Sequence, residues 1–141
     1  MTTNPATETS EAQLIQQMKM LGFNREEINT ILQLEEERIQ KVTYGITRSG
    51  FPSNPKEGDW YYNTFDIHIS TITLTVAGIA GALIKGGVTA AVALVLAEAI
   101  LNEITEDSGY EKIVVTQSFR YGMTNDGVLG WNYGPVTWEL V

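Results

Sequence analysis

The chain has no cysteine among its 141 residues. A disulfide framework, a thiolate nucleophile and a zinc–thiolate centre are therefore all excluded. Histidine is nearly as scarce, with His68 alone. It lies two residues from Asp66 on one face of a predicted strand. Side chains so placed rarely take triad geometry, and an Asp–His pair falls short of a metal-ligand set. Basic charge is also thin: nine Lys and Arg stand against seventeen Asp and Glu, a net charge of −8. Binding to nucleic acid needs clustered cations to displace counterions, and no such cluster exists. The same deficit sets the chain against an anionic lipid surface. The N-terminus lacks the basic start and apolar run of a secretory signal. That implies a product soluble as synthesised, either cytoplasmic or exported by a signal-independent route, and membrane-associated only after a trigger. Gly78, Gly81, Gly86 and Gly87 match neither a dinucleotide fingerprint nor a phosphate loop. No residue set supports catalysis, so the protein is read as a non-enzyme without cofactor or metal.

What the chain does have is an apolar stretch. Between residues 67 and 97 the only fully charged side chain is Lys85. An apolar run of this length is buried in a protein core or in a bilayer. From about Val76 its Ala and Leu content predicts helix. Gly86-Gly87 predicts a break, with a second helix from about Val88 to Ile104. Ala77 and Gly81, Gly78 and Ala82, and Gly87 and Ala91 are small residues four apart, a spacing that lets helices approach closely. Glu98, Glu103, Glu106 and Asp107 gather towards the end of the segment, where carboxylates oppose the helix dipole.

Around this segment the pattern predicts an α+β fold. Residues 1–10 read as a disordered tail and residues 11–41 as a helical hairpin. Ser10 is a good N-cap, and Leu14, Ile15, Met18 and Leu21 follow at helical spacing. Asn24 and Glu27 are three apart, as a capping box requires. Glu35-Glu36-Glu37-Arg38 reads as a solvated stretch of the second helix. Residues 42–141 read as one α+β domain of about four mostly antiparallel strands. These are Val42–Thr47, Trp60–Ile69, Lys112–Tyr121, and Val128–Val141 with a bulge or edge at Gly134-Pro135. The apolar helical segment 70–104 is placed between the second and third strands. Thr124-Asn-Asp-Gly127 is a turn signal.

Leu14-Ile15-Gln-Gln-Met-Lys-Met-Leu21-Gly22-Phe23-Asn-Arg-Glu-Glu-Ile28 resembles the first helix and loop of ubiquitin-associated domains, which carry a Met-Gly-Phe or similar loop before a capped helix. The resemblance stops short of a third helix, and no binding residue is carried over from it.

The expected function is a small membrane-active protein of the pore-forming toxin or bacteriocin type. Val76, Ala77, Gly78, Gly81, Leu83, Gly86, Gly87, Val88, Ala91 and Val95 would insert or self-associate. Glu98, Glu103, Glu106 and Asp107 would act as a pH gate, since carboxylates resist insertion while charged. Trp60, Tyr61, Trp131 and Trp138 would form an interfacial aromatic belt. The partner is then a lipid bilayer, with homo-oligomers formed by the inserted copies. The alternatives are an acidic, non-enzymatic binding module of the immunity or inhibitor kind, meeting a protein partner, and a structural subunit assembling through the Gly/Ala face.

Overall fold

The computed structural model describes residues 10–43, 51–52, 54–106, 109–124 and 127–141. Four α-helices and a three-stranded antiparallel sheet make up the described fold. In chain order they are α1 (Glu11–Met20), α2 (Arg25–Thr43), β1 (Trp60–His68), α3 (Val76–Lys85), α4 (Ala90–Glu106), β2 (Lys112–Met123) and β3 (Leu129–Leu140).

Local chemistry accounts for the helix ends. Ser10 and Gln13 exchange hydrogen bonds at the start of α1. Asn24 and Glu27 do the same at the start of α2, at 2.9 and 2.8 Å. Each pair satisfies two amides that the first turn of a helix leaves without partners. Gly22 ends α1 with φ +83°. There the Gly22 amide donates to Lys19 O and the Phe23 amide to Met18 O. This pairing around a left-handed glycine is the Schellman stop.

The sheet runs in the order β1-β2-β3, with β2 central. Its helix-facing rungs read Ile67–Ile113–Leu140 and Phe65–Val115–Trp138. All six belong to or pack against one core that also takes in Leu14, Met18, Ile28 and Ile31 from the first two helices. The opposite face is open, with Tyr62, Thr64, Asp66, His68, Thr137 and Glu139 exposed. Between Gln117 and Phe119 the register slips: β3 spends three steps, from Val136 to Tyr133, against two of β2. The extra residue at Gly134-Pro135 keeps Tyr133 and Trp131 on the helix-facing side. Pro135 is tolerated there because β3 is an edge strand.

Among the described residues there are three strands where four were expected. Val42 and Thr43, assigned to a first strand, are the last residues of α2. Residues 44–47 of that segment lie outside the described residues, as do 1–9. Helical hydrogen bonding carries on past Ile39 and overrides the local strand preference of Val and Thr. The apolar helices accordingly enter between β1 and β2. The alternating Ile72, Leu74 and Val76 do not extend β1. A 3-10 turn at Ile69–Thr71 ends it, and Val76 already starts α3.

Candidate functional site

The apolar hairpin α3–α4 is the most enclosed part of the protein. Thr75 caps α3 by accepting from the Gly78 amide at 3.0 Å. Gly78 is required there, because a Cβ would lie 2.1 Å from the Thr73 carbonyl oxygen. Ile79, Ala80, Gly81, Leu83 and Ile84 are buried. Gly81 packs on α2, where a Cβ in its place would stand 3.4 Å from Leu34 Cδ1. The small-residue face expected to mediate self-association is thus covered at Gly81 within the monomer.

The hairpin turn is built by the same device that ends α1. Gly87 takes φ +106°. Its amide donates to Ile84 O at 2.9 Å, and the Val88 amide donates to Leu83 O at 3.0 Å. Val88 and Leu83, the hydrophobic pair that accompanies this stop, are both buried. Gly86 faces the sheet so closely that a Cβ would meet the Phe65 ring at 2.3 Å. Gln117, only 4% exposed, donates from Nε2 to Gly86 O at 2.9 Å. One buried amide thereby ties the centre of the sheet to the tip of the hairpin. Immediately beyond, Ala93 N donates to Thr89 O as α4 begins. The Thr89 hydroxyl is buried and has no hydrogen-bond partner among the described residues. An unpaired buried hydroxyl costs about 1–3 kcal/mol, so this turn is not optimised for stability.

In α4, Ala90, Val92, Ala93, Leu94, Leu96, Ala97, Ile100 and Ile104 are buried. Burial is nearly all round in the first half, where only Ala91 and Val95 keep partial exposure. That pattern belongs to a helix wrapped on every side. The second half shows a polar stripe to solvent, including Glu98, Asn102 and Glu103. Of the acidic cluster, Glu98 and Glu103 are exposed, Glu106 closes the helix, and Asp107 lies outside the described residues. Val76 and Ala77 are half-buried at the start of α3.

The aromatic residues do not form a single belt. Trp138 packs against the core beneath the helices. Trp60 is exposed on the opposite face, stacked on Tyr62 at 6.1 Å. Tyr61 and Trp131 meet at the far end of the helix-facing side, 6.3 Å apart, together with Phe51, Phe119 and Tyr121. A second tie between the layers lies here. Arg38 of α2 donates to the Tyr133 hydroxyl at 3.1 Å and to Glu35 at 3.2 Å. Glu36 and Glu37 are exposed, but Glu35 and Arg38 retain only 13% and 10% side-chain exposure, so half of the expected solvated stretch is inside. Burial works against the Arg38 charge. Hydrogen bonding and attraction from Glu35, with Tyr133, outweigh it and hold the guanidinium above its ordinary pKa.

Asp66 is engaged by Lys112 Nζ at 3.1 Å, and both it and His68 face solvent. Among the described residues no cluster of three or more His, Asp or Glu could hold a metal ion. No described helix is long and apolar enough to cross a membrane. Comparison with known proteins finds no matching family, curated protein or solved structure.

Gln117 and Phe65 are given no role by the sequence reading, and Glu35 and Arg38 are read there only as part of a solvated stretch. A signal for Gln117 was present: it is the polar residue in the inward series Ile113, Val115, Gln117, Phe119. For Arg38 there was none, because its partner Tyr133 is 95 residues away.

Proposed function

We propose that this protein is membrane-active, of the pore-forming toxin or bacteriocin kind, with the α3–α4 hairpin as its inserting element. One observation carries the reading. The most apolar stretch of the chain is enclosed between amphipathic helices and a sheet, and polar ties hold that cover closed at Gln117–Gly86 and Arg38–Tyr133. A helix that is apolar nearly all round suits lipid as well as a protein interior.

Dimensions limit how the hairpin inserts. The 17 residues of α4 span about 25 Å, against a hydrocarbon core of about 30 Å. A mismatch of that size costs only fractions of a kcal/mol per Å, which local thinning absorbs. The 10 residues of α3 span about 15 Å and would lie along the interface instead. Glu98 falls at the middle of α4. An ionised side chain at the centre of an inserting helix costs about 2.5–3.5 kcal/mol on insertion scales. Acid, or Glu98→Gln, therefore favours entry, and several inserted copies would line a pore through their polar stripes.

Dye release from liposomes at pH 7 and pH 5 tests this. Release should be greater at pH 5, and Glu98→Gln should raise it at pH 7 by tenfold or more. An absence of leakage at both pH values, with neutral and anionic lipid alike, removes the proposal.

A second reading is an acidic, non-enzymatic binding module. It is favoured by the open sheet face, where Trp60 and Tyr62 stand exposed with Asp66 and Glu139. Its partner would be a basic protein, captured in a manner weakened by salt. The corresponding protein would ignore vesicles.

A further inference from the structure

The α3–α4 hairpin and the α1–α2 pair are fastened to the sheet in different ways. The hairpin is held at both ends and at its tip. It leaves β1 through residues 69–75 and enters β2 through residues 107–111. Those two strands pair from Trp60–Arg120 to His68–Lys112. At the root, the Ile69 amide donates to Glu111 O at 2.9 Å and joins the two connections. At the tip, Gln117 holds Gly86 O.

The α1–α2 pair is joined to the sheet from one end, through residues 44–59. Its caps and its turn are satisfied from within. Ser10 pairs with Gln13 and Asn24 with Glu27, while the Gly22 and Phe23 amides return to Lys19 O and Met18 O. What it lays on the rest of the molecule is largely apolar. Leu34 meets Gly81, and Leu14, Met18, Ile28 and Ile31 are buried in the shared core. A polar tie to the sheet is Arg38–Tyr133.

These attachments set an order of events. A hairpin that swung off the sheet with α1–α2 still on it would carry its cover along. Lifting α1–α2 first bares mainly apolar surface on both sides, and lipid covers such surface as a protein interior does. The two helices keep their own hydrogen bonds as they leave.

We propose that α1–α2 is the releasable cover of the inserting hairpin and lifts away as a unit while α3–α4 stays on the sheet. The hairpin turns out about its root afterwards, once Gln117 lets go. This rests on the membrane-active reading and names how that site is regulated.

The test uses the full chain, whose lack of cysteine makes any introduced thiol unique. Ile31→Cys places one on the inner face of the cover and Val115→Cys one on the sheet beneath the helices, at positions 1 and 0% exposed. Thiol labelling is read in buffer without lipid, each rate relative to the same variant in urea. Ile31→Cys should label faster than Val115→Cys by about tenfold or more, because the cover opens at less than the cost of global unfolding. Adding Gln117→Leu should speed Val115→Cys by about tenfold and leave Ile31→Cys unchanged, since the tie it removes is intact while only the cover is open. Equal labelling at the two positions, or Ile31→Cys speeding up with Gln117→Leu, overturns the proposal. A second measurement uses Leu34→Cys/Gly81→Cys, where a Cβ at position 81 stands 3.4 Å from the Leu34 Cδ1 that the substitution removes. Oxidised to the disulfide, this variant should release no dye from phosphatidylcholine liposomes, and reduction should restore release. Leakage by both forms alike overturns the cover and keeps the membrane reading. The expected labelling pattern without leakage by any form upholds the cover and removes the membrane reading.

Discussion

Replacing Gln117 by leucine isolates the tie between the sheet and the hairpin. Leucine is close to glutamine in size, so the site stays filled and only the amide is lost. What disappears is the 2.9 Å hydrogen bond to Gly86 O. What remains is the carbonyl of Gly86, a half-buried residue at the C-terminal end of α3, without its side-chain donor. A neutral hydrogen bond contributes about 1 kcal/mol net, and leaving its buried partner unsatisfied costs about 1–3 kcal/mol. Leucine returns part of this by burying more apolar surface, so we expect a net loss of about 1–2 kcal/mol. For a chain of this length that is a fall of roughly 3–8 °C in Tm. Gln117→Glu should be worse, because a buried carboxylate would face both the Gly86 carbonyl and the negative end of the α3 dipole. Urea unfolding gives the energies, and hydrogen exchange at the Gly87 and Val88 amides gives the location. If Gln117→Leu is as stable as the parent, or those two amides exchange no faster, the tie holds nothing. If the variant is destabilised and also leaks vesicles at lower protein concentration, the tie restrains the hairpin.

Gly86→Ala would drive a Cβ to 2.3 Å from the Phe65 ring. Overpacking of this kind costs about 1–3 kcal/mol, and Phe65→Leu in the same chain should recover part of it in urea titrations. Arg38→Met removes charge-assisted bonds to Glu35 and a bond to Tyr133. It should lose about 1.5–3 kcal/mol, with Glu35→Gln/Arg38→Met less affected than Arg38→Met alone. The Arg38 pKa is raised, so its contribution is present below the ordinary arginine value and lost only as pH climbs through the higher folded value. The difference between parent and variant should therefore be flat from pH 6 to 9 in chemical denaturation.

The legible parts of this fold are those decided within a few residues. Ser10 with Gln13 and Asn24 with Glu27 set helix starts through contacts three residues long. Gly22 and Gly87 mark helix stops because the left-handed backbone suits glycine, and a stop needs only the preceding turn. The alternation Ile113, Val115 and Phe119 places β2 with the correct inward face. Val42 and Thr43 were misread for the same reason that these succeeded. Their local preference is for strand, but they sit at the end of a helix whose hydrogen bonds are already running. The candidate site was legible as a segment and not as a mechanism of restraint. Gln117, Phe65 and Leu34 acquire their roles only when three separate elements converge on the α3–α4 hairpin.

The order of residues alone settled that a long segment with a single charged side chain must largely leave water, where its helices stop, and that thiol chemistry is closed to this chain. Those results follow from short-range sterics, capping and composition, which need no knowledge of distant neighbours. Tertiary structure alone decided that Gly81 lies on Leu34, that Arg38 reaches Tyr133, and that Met123, Val128 and Leu129 stay uncovered while equally apolar residues are buried. Burial is a property of which surfaces meet, and side chains of the same chemistry meet different fates according to the topology that carries them.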